Sequence, residues 1–306
     1  MKILLLGKNG QVGRELEKTL ATIGELTACD RHDVDLANPD LIREKIRSLQ
    51  PDVIVNAAAY TAVDKAESEP ELAMAINGTA PGIMAEEAAR LNALLVHYST
   101  DYVFDGTKSA PYTEQDTPHP LNVYGRSKLA GEQAITAQAA RFLIFRTTWV
   151  YDGQGKNFLI TIKRLAGQKR ELSIVNDQIG APTWSREIAR ATAQAIGKYL
   201  AHPHPEQLSG IYHLTAQGQT SWFGFAQAAA KCGLFDDIPH PPVLRAISSA
   251  EFPTPARRPM YSMLSNAKLL EKFGTQLPDW EVSLRKCLNL ETAIDRSVPS
   301  GIPHEY

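Results

Sequence analysis

The sequence predicts an α/β protein with a doubly wound parallel sheet and a smaller mixed α/β region after it. Apolar runs bounded by turn residues recur along the first half of the chain, as expected for strands buried on both faces. Segments with helical spacing of apolar residues lie between these runs. Such alternation implies parallel pairing through right-handed crossovers, with ligands bound beyond the carboxyl ends of the strands.

The predicted elements follow one another in a regular order. Strands are predicted at residues 3–6, 26–29, 53–59, 94–98 and 142–145. Helices between them are predicted from the spacing of Val12, Leu16 and Leu20, of Leu41, Ile46 and Leu49, of Met74, Ile76, Met84, Ala88 and Leu91, and of Leu129, Ala130 and Ile135. Beyond Trp149, proline and glycine interrupt the pattern, and short strands at 174–175 and 211–214 accompany helices at 186–200, 222–232 and 280–288.

Composition excludes several classes of protein. The chain has 306 residues, 43% of them hydrophobic, and its 32 basic against 34 acidic side chains leave no excess of charge for binding nucleic acid. Three cysteines without C-x-x-C spacing suggest neither a disulfide framework nor a thiolate zinc site. The apolar runs fall short of the roughly 18 residues of a membrane span, and the opening run is too brief for a signal peptide. We therefore expect a cytoplasmic protein with no membrane or nucleic-acid partner.

A glycine loop stands where the first strand gives way to the first helix. Gly7, Gly10 and Gly13 are spaced for a tight turn, a close approach of backbone to pyrophosphate, and close packing of helix on sheet. The helix N-terminus adds unpaired N–H groups and a positive dipole end. The loop therefore predicts a Rossmann-like dinucleotide site, with residues 1–173 as the dinucleotide-binding domain. Residues 174–306 are assigned mainly to a substrate-binding domain, although later segments can return to the first.

The end of the second strand bears on the choice of cofactor. Asp30 can accept hydrogen bonds from an adenosine ribose, which favours NADH, whereas Arg31 with Lys8 can accommodate a 2′-phosphate, which favours NADPH. The sequence leaves both open. A further acid, Asp35, and the apolar Leu36 follow near the expected adenine site.

A second group of residues suits proton transfer. Thr100 follows the fourth strand, and a helix beginning near Asn122 would place Tyr124 and Lys128 one turn apart on one face. A phenol with a pKa near 10 is a poor acid or base at neutral pH, and a neighbouring ammonium is expected to lower that pKa. Thr100 can hydrogen-bond the reacting oxygen. These residues and the glycine loop converge on one crevice.

The chain resembles the extended short-chain dehydrogenase/reductases in four motifs: GKNGQVG at residues 7–13, NAAAYTAVD at 56–64, YSTDYVF at 98–104 and YGRSK at 124–128. More narrowly, it resembles the dTDP-4-dehydrorhamnose reductase family. That resemblance rests on AVDKAE at 62–67, RTTWVY at 146–151, DQIGAPT at 177–183 and the Arg258-Pro259 pair with Ser262. It covers nearly the whole chain.

The resemblance implies roles for individual residues. Thr100, Tyr124 and Lys128 would be the catalytic triad, and Tyr124 and Lys128 would also contact the cofactor. The other implied cofactor contacts are Gly10, Gln11, Val12, Asp30, Asp35, Leu36, Ala59, Tyr60, Thr61 and Tyr98. On the substrate side the resemblance implies Thr100, Asp101, Trp149 and, for the nucleotide diphosphate, Arg258.

The activity implied by the resemblance is NAD(P)H-dependent reduction of the C4 ketone of dTDP-4-dehydro-L-rhamnose to dTDP-L-rhamnose, a step of polysaccharide biosynthesis. Tyr124 would protonate the developing alkoxide while Lys128 holds the nicotinamide ribose. Two alternatives stay open: a reductase or epimerase of another nucleotide sugar, and a non-catalytic regulatory nucleotide-binding subunit. Members of the family can use Mg²⁺, although no Asp/Glu/His cluster stands out as a metal site, and homodimer formation is also left open.

Overall fold

The structure, a computed structural model, describes residues 1–295, with side chains to residue 289. Its strands are β1 (Lys2–Leu6), β2 (Glu25–Cys29), β3 (Val53–Asn56), β4 (Leu94–Thr100), β5 (Phe142–Thr147), β6 (Val150–Tyr151), β7 (Glu171–Val175), β8 (Ile179–Gly180), β9 (Thr183–Trp184), β10 (Gly210–His213), β11 (Thr220–Ser221) and β12 (Val243–Ile247). Its α-helices are α1 (Gln11–Leu20), α2 (Pro39–Leu49), α3 (Val63–Ala66), α4 (Pro70–Met74), α5 (Ala80–Leu91), α6 (Val123–Gln138), α7 (Phe158–Ala166), α8 (Ser185–Ala201), α9 (Trp222–Lys231), α10 (Ala267–Phe273) and α11 (Trp280–Asp295). A π-helical turn, Ala75–Thr79, joins α4 to α5.

Six of these strands form the central sheet in the order β10-β5-β4-β3-β1-β2, and every pairing between them is parallel. The chain begins near one edge, moves to that edge with β2, and then crosses back over β1 to β3, β4 and β5. This reversal of direction is the hallmark of a doubly wound sheet, and it places the ligand crevice at the carboxyl ends of β1 and β3. The predicted Rossmann-like α/β fold is confirmed.

Apolar residues cover both faces of the sheet. Along β1, Ile3 and Leu5 pack into one buried cluster together with residues of α1 and α8, and Leu4 and Leu6 pack into another together with residues of α2 and α5. Successive side chains of a strand point to opposite faces, so an uninterrupted apolar strand must be buried on both. This two-sided burial explains the continuous apolar runs of the sequence.

The strands β3, β4 and β5 end at different residues from those predicted, and all three differences lie at the carboxyl edge of the sheet. The strand predicted over residues 53–59 ends at Asn56, whose side chain accepts the Ala58 N–H. The prediction was wrong for residues 57–59. Two other strands run further than predicted, to Thr100 and to Thr147, because their polar ends continue the parallel ladder.

A separate apolar cluster lies beyond the sheet, among α7, α9, α11 and the parallel pair β7 and β12. It contains Tyr151, Phe225, Trp280 and Leu284, all buried. Two segments assigned by sequence to the second domain instead lie at the sheet: β10 pairs with β5, and α8 packs on α1. The chain therefore returns to the sheet after residue 174. Residues 296–306 of that predicted domain lie outside the described part of the chain.

A search of the described helices for membrane spans finds none that is both long and apolar enough to cross a bilayer.

Candidate active site

Two glycines of the loop, Gly7 and Gly13, lie where the neighbouring backbone leaves no room for a side chain. Gly7 has φ +89°, and a Cβ there would lie 2.6 Å from the Ala58 nitrogen. A Cβ on Gly13 would lie 2.0 Å from the Gly7 carbonyl oxygen. In the described part of the chain no side chain caps α1, whose N-cap residue is Gly10, so its first N–H groups can face an anion. The loop thus fits a dinucleotide pyrophosphate.

An acid and two cations lie at the end of β2, as the sequence indicates. Asp30 accepts hydrogen bonds from the His32 N–H at 2.8 Å and the Asn9 amide at 3.1 Å, and the His32 bond helps hold the pKa of Asp30 below its usual value. Lys8 bonds to Asp33 at 3.1 Å, whereas the exposed Arg31 lies 3.4 Å from Asp35. Both the acid and the cations between which the sequence leaves the choice of cofactor open are therefore present at this edge.

The proton-transfer residues come together at the carboxyl end of β4. The Asn122 side chain accepts the Gly125 N–H at 2.8 Å and so begins α6 at Val123, where the sequence predicts it. Tyr124 and Lys128 then share one face of α6, and Thr100 lies close enough to Tyr124 to lower the pKa of its phenol. The Thr100 hydroxyl donates to Asp101 at 3.0 Å. The expected group of Thr100, Tyr124 and Lys128 is therefore assembled.

The electrostatics of this group differ from the expectation that the Lys128 ammonium lowers the pKa of Tyr124. Burial raises the pKa of Tyr124 to about 12, against the hydrogen bond with Thr100, which lowers it. Burial also lowers the pKa of Lys128 to about 7, against the nearby Glu132 carboxylate, which raises it. Lys128 is therefore largely uncharged above neutral pH, and Tyr124 keeps its proton. The expected lowering of the Tyr124 pKa by Lys128 is not found, because burial disfavours the charged form of each group.

Lys128 has a buried partner that sequence reasoning missed. Its Nζ lies 3.1 Å from Nε2 of His97, and Nδ1 of His97 lies 3.1 Å from the Asn56 amide nitrogen. The available signal was a histidine within the apolar run of β4, beside an asparagine at the end of β3.

Asp101 is a buried carboxyl next to the reacting group. It accepts hydrogen bonds from Thr148 at 2.7 Å and from Thr100 at 3.0 Å, and it also bonds Ser262. Burial raises its pKa to about 6, although these hydrogen bonds lower it. The predicted substrate residue thus lies beneath Thr100.

Two further predicted substrate residues, Trp149 and Arg258, each contact side chains of the protein itself. Trp149 has φ +45°, and its ring stacks on Trp222 with centroids 3.6 Å apart. Arg258 donates two hydrogen bonds to the Asp64 carboxylate, at 3.1 and 2.8 Å, and also bonds Tyr102. The Tyr102 ring meets Tyr124 edge-on at 5.8 Å.

Among the remaining predicted cofactor residues, Tyr60 and Gln11 form hydrogen bonds, whereas Val12 and Leu36 pack in the apolar core. Tyr60, after β3 and between Ala59 and Thr61, bonds Glu69 through its hydroxyl at 2.7 Å. Gln11 donates to the Val150 carbonyl at 3.3 Å, and its buried side-chain oxygen has no hydrogen-bond partner within residues 1–289. Val12 and Leu36 pack against the two clusters of the sheet core.

Tyr98 is not brought to the crevice. Its side chain lies in the core beneath α8, where its hydroxyl is 2.7 Å from that of Thr192. Side chains alternate along β4, so His97 faces α6 and Tyr98 faces away from it. A cofactor contact by Tyr98 stays a prediction, and it would have to involve the backbone.

Within the described residues, no three His, Cys, Asp or Glu side chains are grouped as metal ligands.

A doubly wound sheet, a glycine loop after β1, and a Tyr-x-x-x-Lys pair on the helix after β4 together define the class of short-chain dehydrogenase/reductases. A family model described as the RmlD substrate binding domain matches residues 1–293. A dTDP-4-dehydrorhamnose reductase of Burkholderia thailandensis is 47% identical over an alignment of 299 positions that covers 94% of this chain and 98% of that protein. The chain belongs to the dTDP-4-dehydrorhamnose reductase family.

Solved structures agree with this assignment. A dTDP-4-dehydrorhamnose reductase from Clostridium acetobutylicum has a TM-score of 0.87 at 36% identity, covering 95% of this chain and 100% of that one. Another, from Bacillus anthracis and in complex with NADP, has a TM-score of 0.83 at 34% identity, covering 94% and 99% of the two chains.

Proposed function

We propose that this protein reduces the C4 ketone of dTDP-4-dehydro-L-rhamnose with NADPH or NADH and releases dTDP-L-rhamnose. Support comes from family membership over nearly the whole chain. The observation that carries the proposal is the pair of Tyr124 and Lys128 on one face of α6, with Tyr124 beside Thr100 at the carboxyl end of β4. A neutral tyrosine in this place can give a proton to a ketone oxygen as it gains negative charge.

The mechanism assigns each step to a side chain. When bound, the nicotinamide supplies the hydride that the ketone carbon accepts. Tyr124 donates its phenolic proton to the ketone oxygen, and Thr100 turns its hydroxyl hydrogen from Asp101 to that oxygen and holds it by a hydrogen bond. Lys128 orients the nicotinamide ribose. Trp149 and Asp101 border the sugar, and Arg258 holds the nucleotide diphosphate by charge-assisted hydrogen bonds.

The cofactor is held, in this proposal, by the glycine loop and the residues after β2 and β3. Gly7, Gly10 and Gly13 admit the pyrophosphate, and the amides of Gln11 and Val12 face it. Asp30 takes the adenosine ribose of NADH, or Arg31 the 2′-phosphate of NADPH. The NADP complex of the Bacillus anthracis relative supports the second choice.

Several finer expectations belong to the same proposal. The first domain comprises the sheet with its flanking helices, including α8 and β10, and the second surrounds the cluster of α7, α9 and α11. A homodimer, a cytoplasmic location and an optional Mg²⁺ are retained as predictions. Light scattering of the purified protein tests for the homodimer. Assays with and without a chelator test the use of Mg²⁺.

The direct assay follows oxidation of NADPH and NADH by the purified protein with dTDP-4-dehydrorhamnose, and with a UDP-linked 4-ketohexose as the matched comparison. We expect turnover of the dTDP sugar at a higher kcat/KM. Preferred turnover of the UDP sugar would indicate another nucleotide-sugar reductase. Cofactor binding with no turnover of either sugar would contradict the proposal and favour a regulatory subunit.

A further inference from the structure

A buried chain of three polar side chains runs from β3 to α6. Asn56, His97 and Lys128 are each 2% exposed or less. The Asn56 amide nitrogen lies 3.1 Å from Nδ1 of His97, and Nε2 of His97 lies 3.1 Å from Nζ of Lys128. The far end of the chain is fixed, because the Asn56 side-chain oxygen accepts the Ala58 N–H at 3.2 Å.

The direction of these hydrogen bonds determines where the protons lie. With its oxygen engaged by Ala58, Asn56 offers His97 only N–H donors, so Nδ1 of His97 must accept. A neutral ring that accepts at Nδ1 carries its hydrogen on Nε2, and that N–H points at Lys128. An ammonium has three donors and no acceptor, whereas a neutral amine has a lone pair. The hydrogen bonds among Asn56, His97 and Lys128 can therefore all form only when Lys128 is uncharged.

The ionisable groups on the elements packed against α6 agree with this arrangement. Glu132, one turn beyond Lys128, forms a buried ion pair with Arg146 of β5, with bonds of 2.9 and 2.6 Å, so its charge is already matched. Tyr124 is protonated at neutral pH. Burial lowers the pKa of Lys128 to about 7 and holds the pKa of His97 well below its usual value.

We propose that Asn56 and His97 are positioning residues that hold Lys128 as a neutral amine, so that Lys128 takes up a proton when the nicotinamide cofactor binds. The proposal rests on the nicotinamide-binding part of the proposed function. Ribose hydroxyls offer acceptors for the ammonium, and the pyrophosphate adds negative charge nearby. A proton from the buffer forms a new N–H bond at Nζ of Lys128, and His97 stays neutral.

The first test reads the histidine tautomers in the protein without cofactor. Long-range ¹H–¹⁵N correlation spectra distinguish a hydrogen on Nδ1 from one on Nε2, and the variant His97→Gln identifies the His97 signals by their loss. His213 is an internal control, because its Nδ1 faces the Tyr112 carbonyl oxygen at 3.1 Å and must carry the hydrogen. We expect Nε2–H for His97 and Nδ1–H for His213. A hydrogen on Nδ1 of His97, or a charged His97 ring at about pH 8, would overturn the proposal.

The second test measures proton uptake when NADPH binds. Calorimetry at about pH 8, in two buffers of different ionisation enthalpy, should give an uptake approaching about one proton per site, since the 2′-phosphate is already ionised there. Asn56→Asp keeps the acceptor for Ala58 but replaces the donor to His97 by an acceptor. This variant reverses the direction of the hydrogen bonds among the three side chains. Nε2 of His97 is then free to accept from the Lys128 ammonium, so the proton uptake on NADPH binding should fall by more than half.

The control for this variant is Asn38→Asp, which makes the same replacement at the N-cap of α2, where a carboxylate is a good cap. It should leave the uptake unchanged. No uptake in the unaltered protein, or equal uptake in Asn56→Asp, would overturn the proposal; if Asn56→Asp does not fold, the tautomer of His97 still decides. Neither test uses a sugar, so failure of the sugar assay would leave the two results standing and would count against the proposed function alone.

Discussion

Tyr124 keeps its proton at neutral pH, because burial raises its pKa to about 12. A residue that protonates the oxygen of a ketone during hydride attack needs that proton at the start of the reaction. Thr100 lies beside Tyr124 and donates its hydroxyl hydrogen to Asp101. At the scale of single residues the site therefore suits reduction.

Replacing Tyr124 by phenylalanine removes this proton and leaves the ring. We expect kcat for the dTDP sugar to fall by about 10²- to 10⁴-fold, the usual contribution of a positioned acid, with little change in NADPH affinity. Steady-state kinetics and cofactor titration check both. The control is Tyr199→Phe, since the Tyr199 hydroxyl bonds Ser209 in the core. Unchanged turnover in Tyr124→Phe would remove Tyr124 from the mechanism.

Asp101 makes folding stability depend on pH in the direction opposite to that of most carboxylates. Its pKa is about 6 in the fold and 3.8 in a free side chain, so between these values the folded protein binds more protons than the unfolded chain. Stability is then lost as pH rises through this window, by about 3 kcal/mol at most.

We expect Asp101→Asn to lose this part of the pH dependence. Urea unfolding near pH 4 and near pH 7 measures it, as the difference between the variant and the unaltered protein. Asp40→Asn, at an exposed position of α2, is the control. An equal change in stability between the two pH values in all three proteins would refute the role of Asp101.

At the scale of elements, the loop from β1 to α1 determines whether a dinucleotide can approach the backbone. The loop contacts the β3 segment at Ala58, and the Asn56 side chain fixes the same segment. The phosphate site and the buried chain to Lys128 therefore share one turn of backbone.

Gly13→Ala tests this loop. The added Cβ would meet the Gly7 carbonyl oxygen at 2.0 Å, so the loop must shift, and we expect weaker NADPH binding together with a lower Tm. Gly197→Ala is the matched control, because nothing lies within 4 Å of a Cβ in that position of α8. It should stabilise the protein by up to about 1 kcal/mol. Similar NADPH affinities in the two variants would contradict the role assigned to the loop.

The elements that the sequence predicted well are those fixed by local interactions. The start of α6 follows from the Asn122 cap, and the common face of Tyr124 and Lys128 follows from their spacing of one turn. The bond of Lys128 to His97 joins residues 31 positions apart, on a helix and a strand, and no local pattern specifies it. For the same reason, the sequence did not indicate His97 as a partner of Lys128.

At the scale of the whole molecule, the C-terminal half contributes to both the sheet and the crevice. The strand β10 pairs with β5, and Arg258 reaches back to Asp64, 194 positions earlier in the chain. Parallel pairing of distant strands leaves no mark in local periodicity, which is why residues 210–213 could not be assigned to the sheet from sequence. The fold of the first half could be predicted because each strand there is followed by its own helix.

The central claim, hydride transfer to the sugar, is tested most directly with NADPH that carries deuterium at the transferable position of its nicotinamide C4. After reaction with dTDP-4-dehydrorhamnose, NMR of the sugar product locates the label. The proposed reduction predicts dTDP-L-rhamnose with deuterium on C4 of the sugar and one equivalent of oxidised cofactor. A product without deuterium, or an altered sugar with the cofactor unchanged, would contradict it and indicate an epimerase.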